Sequence, residues 1–271
     1  MQWFVSGEDA NGRHGTQMSD PFELVASATT HPGRVRRNNE DAYCARPDQG
    51  LWAVADGMGG HEGGEFASSA IVEALDGVTI DGPFETACRT VAEAIQAANA
   101  RIHDGSAEGK AQMGSTIVAL LARDTHFALF WAGDSRAYLL REGVLRRLTR
   151  DHTQVQALIE RGILNEADAA GHPMSHVLAR AVGIEPHVEI DVIVDMICPD
   201  DVFLLCSDGL HGTMREDEIR DFLAAAADRA VVDEMVARTL ELGAPDNVTV
   251  VTVAARARVS PAMGNPIETV E

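Results

Sequence analysis

Acidic residues recur in this 271-residue chain beside small or polar neighbours, as Asn39-Glu40-Asp41, Asp56-Gly57, Gly133-Asp134-Ser135, Ser207-Asp208-Gly209 and Asp246-Asn247. One Asp-Gly pair is ordinary turn chemistry. Repeated at the ends of apolar, strand-like runs, the pattern predicts carboxylates converging at one edge of a sheet. Gathered carboxylates repel one another unless something positive lies among them. A hard divalent cation is the natural neutraliser, because it prefers oxygen ligands. The residues therefore point to metal-dependent hydrolysis.

The elements that must position these groups can be read from the hydrophobic pattern. Leu51–Ala55, Thr116–Leu121, Phe127–Ala132, Ala137–Leu140, Val188–Val194, Val202–Cys206 and Val248–Val253 read as strands. The runs 127–132 and 202–206 are apolar at nearly every position, as strands covered on both faces are. Val188–Val194 alternates, as a half-exposed strand does. Cys88, Val91, Ile95, Ala98 and Ile102 step by three and four after Pro83, one buried face of a helix. Glu65–Leu75 precedes it as a second helix. Another pair is expected over about 215–225 and around Val232, Met235, Val236, Thr239 and Leu240, stopped by Gly243 and Pro245. Helices in pairs, rather than one per strand, argue against a doubly wound parallel sheet. They predict an α+β fold, a four-layer α-β-β-α sandwich of two antiparallel sheets with a helix pair on each outer face. A polar insert, about 150–185, reads as a small helical flap. The expected organisation is an N-terminal extension over 1–20, one domain over 21–255 and a tail over 256–271, with Met18 an equally good start.

Composition sets limits. Asp and Glu number 42 against 22 Lys and Arg, a formal net charge of −20. Such a surface repels nucleic acid and anionic membranes, so neither is an expected partner. No run of eighteen apolar residues is present, so no membrane-spanning helix is expected. The N-terminus lacks a basic region followed by an apolar stretch. The four cysteines, at 44, 88, 198 and 206, form no CxxC pair and read as thiols of a reducing compartment, which predicts a cytoplasmic protein.

Seven short motifs in order resemble those of the PP2C (PPM) metal-dependent protein phosphatases, bacterial branch. They are Arg36-Arg37-Asn38-Asn39-Glu40-Asp41, Ala55-Asp56-Gly57-Met58-Gly59-Gly60, Gly114-Ser115-Thr116, Gly133-Asp134-Ser135-Arg136, Leu148-Thr149-Arg150-Asp151-His152, Ser207-Asp208-Gly209 and Pro245-Asp246-Asn247-Val248-Thr249. Each is weak alone; together, over about 25–255, they are specific. The resemblance implies two Mn²⁺ or Mg²⁺ ions, with Asp56 bridging them and the Gly57 carbonyl, Asp208 and Asp246 as further ligands. Glu40 would act through bound water, with Asp41 supporting that shell. A third ion would lie near Asp134, shared with Asp208. Arg36 would grip the phosphate, with Arg34 and Arg37 as competitors for that role. Phosphothreonine or phosphoserine would be hydrolysed by direct attack of a metal-bridging hydroxide, in a monomer opposing a bacterial Ser/Thr kinase and acting on that kinase or its targets. A catalytically silent phosphoprotein-binding module and a small phosphate-ester hydrolase are the alternatives on the same fold.

One departure stands out. In many relatives a histidine follows the Asp-Gly pair and is proposed to protonate the leaving group. Here Met58 stands there and holds no transferable proton, which leaves metal-bound water or His61. Asp151-His152 is expected to cap the helix at Gln154 and brace the flap. His172 and His176 are separated by Pro173 and are not expected to form a metal pair; Ser175 is a weak candidate for the third-ion region. His61-Glu62-Gly63-Gly64-Glu65 is not HExxH, Gly133-Asp134-Ser135-Arg136-Ala137 is not a nucleophile elbow, and no P-loop occurs.

Overall fold

The computed structural model describes residues 22–59, 62–107, 112–165, 168, 172–225 and 231–257. The expected N-terminal extension and most of the expected tail lie outside them, as does His61. Two antiparallel sheets form the centre. The first has the order β1 (Phe22–His31), β11 (Val248–Ala257), β10 (Val202–Cys206), β7 (Arg136–Arg141), β8 (Val144–Arg147). The second runs β2 (Asp41–Arg46), β3 (Leu51–Met58), β5 (Ile117–Arg123), β6 (His126–Ala132), β9 (Asp191–Met196), with β4 (Gly114–Ser115) beside the end of β3. Helices α1 (Glu62–Asp76) and α2 (Phe84–Ala107) cover the second sheet. After the short α3 (Gln154–Glu160) and α4 (Asp208–His211), α5 (Glu216–Ala225) and α6 (Val231–Glu241) cover the first. This is the four-layer α+β sandwich.

Strand periodicity explains the layering, because successive side chains point to opposite faces. In β3, Trp52 and Val54 enter the core between the sheets, while Leu51, Ala53 and Ala55 pack under α1 and α2. In β10, Phe203 and Leu205 face the same central core, and Leu204 and Cys206 face α5 and α6. Strands clad on both sides must be apolar throughout, hence the unbroken runs in the sequence. Phe127 and Phe203 meet edge to face across the central core at 4.8 Å.

Several elements differ from the sequence expectation. β1, β2 and β8 carry no clean alternation, yet β1 pairs with β11 along all ten of its residues. β11 runs to Ala257, so the segment from Arg256 begins as strand rather than tail. The strand expected over 188–194 is shifted to Asp191–Met196. α1 starts at Glu62 and takes in both glycines; a Cβ on Gly64 would stand 2.8 Å from the Glu40 carboxyl carbon, so the glycine lets α1 press against the Glu40 loop. The N-cap of α3 is Thr153, whose hydroxyl accepts from the Gln156 amide, rather than Asp151 or His152.

At the end opposite the acidic loops, Asp201 is fully buried and accepts from Arg141 Nε at 2.8 Å, Arg141 Nη2 at 2.7 Å and the Cys198 amide at 2.8 Å. Arg141 Nη2 also donates to the Met196 carbonyl, so this pair ties the two sheets together. Removing a partner leaves charged donors unsatisfied. Asp201→Ala is expected to lower unfolding free energy by about 1.5–3 kcal/mol, measured by urea denaturation; a change within about 0.5 kcal/mol would contradict this role.

Candidate metal centre

Five loops meet at the other end of the sandwich, around a cavity of about 1080 Å³. The side chains of Arg36, Glu40, Asp56, Asp134, Asp208 and Asp246 line it, with Gly57. Asp56 ends the buried part of β3, and Asp41, which opens β2, is its direct partner in the register. Asp134 follows β6, Asp208 opens α4 after β10, and Asp246 precedes β11. Residues up to 210 positions apart thus share one cavity. Asp41 does not line it. That side chain is buried behind the others, where Ser207 and Thr249 hydroxyls donate to its Oδ2, each at 2.7 Å.

Neutral polar groups hold the acids in place. The Asn247 side chain accepts from the Glu40 amide at 2.8 Å and donates to the Pro32 and Asn38 carbonyls, so it staples the 32–40 loop to the 245–247 turn. The Asp56 amide donates to Thr116 Oγ1 at 3.1 Å, the Thr116 amide returns a bond to the Asp56 carbonyl, and Thr116 Oγ1 meets Ser135 Oγ at 2.6 Å. Arg36 Nη2 donates to Asp246 Oδ2 at 2.7 Å at the cavity mouth. Arg37 also lines the cavity, whereas Arg34 turns its amide to the Ala244 carbonyl and is not among the lining residues.

The electrostatics are those of acids crowded in a poorly solvated place. Burial, then the charges of Asp41, Asp208, Asp134 and Asp246, hold the Asp56 carboxyl well above the usual range. Burial lifts Asp134 to about 7, with Asp208 adding to it. Burial lifts Asp41 to about 7 against the opposing hydroxyls of Thr249 and Ser207. Asp208 is raised by burial and by Asp246, with His176 and Arg36 acting the other way. Asp41 Oδ1 is buried without a hydrogen-bond partner. A cluster of oxygen donors with an orphaned carboxylate oxygen fits divalent cations in both donor type and charge. No three His, Cys, Asp or Glu side chains among the described residues close around a single point.

Comparison with known proteins decides the family. The model of the family described as Protein phosphatase 2C matches residues 33–243. The chain belongs to the protein phosphatase 2C family. A curated relative of this metal-dependent phosphatase family, the serine/threonine phosphatase stp of Listeria monocytogenes, is 35% identical over 244 residues, covering 85% of this chain and 95% of its own. A solved structure of PppA, described as a key regulatory component of T6SS in Pseudomonas aeruginosa, is 39% identical with a TM-score of 0.81, covering 88% of this chain and 100% of its own. The catalytic domain of PstP in complex with 2 manganese ions is 33% identical with a TM-score of 0.78, covering 86% and 98%.

Sequence reasoning assigned no role to Thr116, Asn247 or Ser207, although all three stand in or beside the phosphatase motifs. It set aside His176, which lines the cavity. A single Thr or Asn in a motif gives no signal of the backbone group it will bind. Met58 lines the cavity, as its place beside Gly57 requires. Ser175 turns its amide to the His172 carbonyl and is not a lining residue.

The raised carboxylates give the metal-free protein a pH dependence. The folded state retains protons on these groups that the unfolded chain has released, so stability falls as pH rises from about 4 to about 7. Mn²⁺ is expected to raise the thermal midpoint, and to raise it more at about pH 7.5 than at about pH 5.5, because protons compete with the cation for the same oxygens. Scanning calorimetry with and without chelator measures this; an equal increment at both pH values would contradict it.

Proposed function

We propose that the chain is a manganese- or magnesium-dependent phosphatase of phosphothreonine and phosphoserine in proteins, opposing a bacterial Ser/Thr kinase by acting on that kinase or its substrates. The observation that carries this reading is the convergence of Glu40, Asp56, Asp134, Asp208 and Asp246 on one cavity with Arg36 and Arg37 at its mouth. The relatives' printed names support the substrate class.

Asp56, Asp208, Asp246, the Gly57 carbonyl and Glu40 would hold two divalent ions. Asp134 and Asp208 would hold a third. Bound there, such ions neutralise the carboxylates, acidify water at neutral pH and bind phosphoryl oxygens. Asp41 would support this shell from behind, beside Asp56 in the register and held by the two hydroxyls on its Oδ2. Arg36 presents paired guanidinium donors that match two phosphoryl oxygens, which then compete with Asp246 for it. Water supplies the oxygen that attacks phosphorus in line, the bond to the Ser or Thr oxygen breaks, and the alcohol departs with a proton. Attack by water needs no phosphoenzyme.

Hydrolysis of a phosphothreonine peptide with Mn²⁺ tests the reading. Chelator is expected to abolish turnover, and Asp208→Ala to cut it by more than the roughly 10–100-fold that loss of a supporting group costs a metal site. Peptide binding without turnover would show a silent module, and turnover of small esters alone would show a different substrate class. Arg36→Ala is expected to raise KM for the peptide by roughly 10-fold or more, the worth of charge-assisted hydrogen bonds, and Arg37→Ala to change it less. Equal effects of the two substitutions would remove the special role given to Arg36.

A further inference from the structure

We infer that His211 and His152 are positioning residues that grip the Gly133–Asp134 turn from two sides and fix where the Asp134 carboxylate stands relative to Asp208. The inference rests on the reading that Asp134 and Asp208 together hold an ion. Neither histidine lines the cavity.

His211 lies on α4, three residues after Asp208, and its Nε2 is 3.0 Å from the Asp134 carbonyl oxygen. A carbonyl only accepts, so Nε2 carries the proton and donates. One short helix therefore bears Asp208 and grips the backbone of Asp134. His152 acts one residue earlier. Its amide donates to the Gly133 carbonyl at 2.9 Å, and its Nδ1 accepts from the Gly133 amide at 3.2 Å. Both backbone polar groups of Gly133 are thus taken by a single residue. With Nδ1 accepting, the neutral ring carries its proton on Nε2, which lies 3.3 Å from Asp191 Oδ2. Arg180 Nη1 holds the other oxygen of Asp191 at 2.6 Å, and Trp131 stacks on the imidazole with ring planes 10° apart. The ring is fixed on its edge and on one face.

The turn has little freedom of its own to spare. Gly133 has φ +114°, a region that side chains avoid, and a Cβ there would stand 2.6 Å from the Thr116 side chain. Beyond Asp134, Ser135 is tied to Thr116 and through it to the Asp56 amide. Both imidazoles bind backbone atoms of the turn rather than the Asp134 carboxylate. The His152 carbonyl also accepts from the Ala179 amide at 2.7 Å, so it joins the returning segment of the 150–185 insert to the same turn.

Calorimetric Mn²⁺ isotherms of the full chain test this. Asp134→Asn is expected to remove the weakest class of site. His211→Leu and His152→Leu are expected to weaken that class by roughly 10–100-fold and the tighter sites by no more than about 3-fold. His211→Gln, whose amide nitrogen reaches the position of Nε2, is expected to restore the weak site, and His211→Asn, whose amide is too short, is not. Loss of the site in Asp134→Asn with unchanged isotherms in the leucine variants would overturn the positioning role while leaving the ion at Asp134 intact. An unchanged isotherm in Asp134→Asn would overturn both. If the leucine variants do not fold, judged by circular dichroism, the Gln and Asn variants of His211 decide alone, and identical isotherms for those two overturn the inference.

Discussion

Mutual repulsion among acids that the fold forces together is the constraint on which the rest depends. Asp41 and Asp56 are register partners, Asp208 raises the affinity of Asp134 for protons, and Asp246 raises that of Asp208 and Asp56. Left to themselves in water these groups would separate. The loops that carry them are instead anchored to rigid strands clad on both faces, and the sandwich supplies the force that keeps them near. A site of this kind costs stability in the absence of cations and recovers it when they bind, so the protein's folding and its chemistry are linked through the same oxygens.

The anchoring is done mainly by uncharged groups. Asn247 reaches three backbone groups, Thr116 and Ser135 join the Asp56 and Asp134 loops, and Ser207 and Thr249 orient Asp41. Among these loops the guanidinium of Arg36 sits at the mouth, paired with Asp246 and screened by solvent. Cations placed deeper would have neutralised the carboxylates permanently and abolished their affinity for metal. The other strong arginine pairs are set elsewhere, Arg141 with Asp201 at the far end and Arg136 with Asp151 behind the turn that bears Asp134.

The central strands and long helices were legible because their burial is written as periodicity: the 88–102 stripe is the buried face of α2, and the unbroken runs at 127–132 and 202–206 are two-faced strands. The edges were not. β1 is half-buried along most of its length and is held by pairing to β11, which depends on a partner more than two hundred residues away. The acidic positions were legible because carboxylates beside glycine or asparagine in apolar surroundings violate ordinary partitioning. Their supports were not, since a Thr or Asn that bonds a distant amide looks like any other. His211 illustrates this: burial and the nearby Arg136 push its imidazole down to about 3, yet in sequence it is one histidine among ten. Gly64 is similar, its value being the space it leaves for Glu40.

The long β1–β11 ladder has a consequence for how the molecule can be joined to others. His31 pairs with Val248 beside the acidic loops, and Phe22 pairs with Ala257 at the other end of the same ribbon, about 30 Å away at the usual rise per strand residue. Phe22 and Ala257, the first and last of the described residues, therefore stand side by side, remote from the acidic cavity. A group joined to the ribbon at Phe22 or Ala257 would stand clear of that cavity, and one joined to both would bridge neighbouring strands without crossing it.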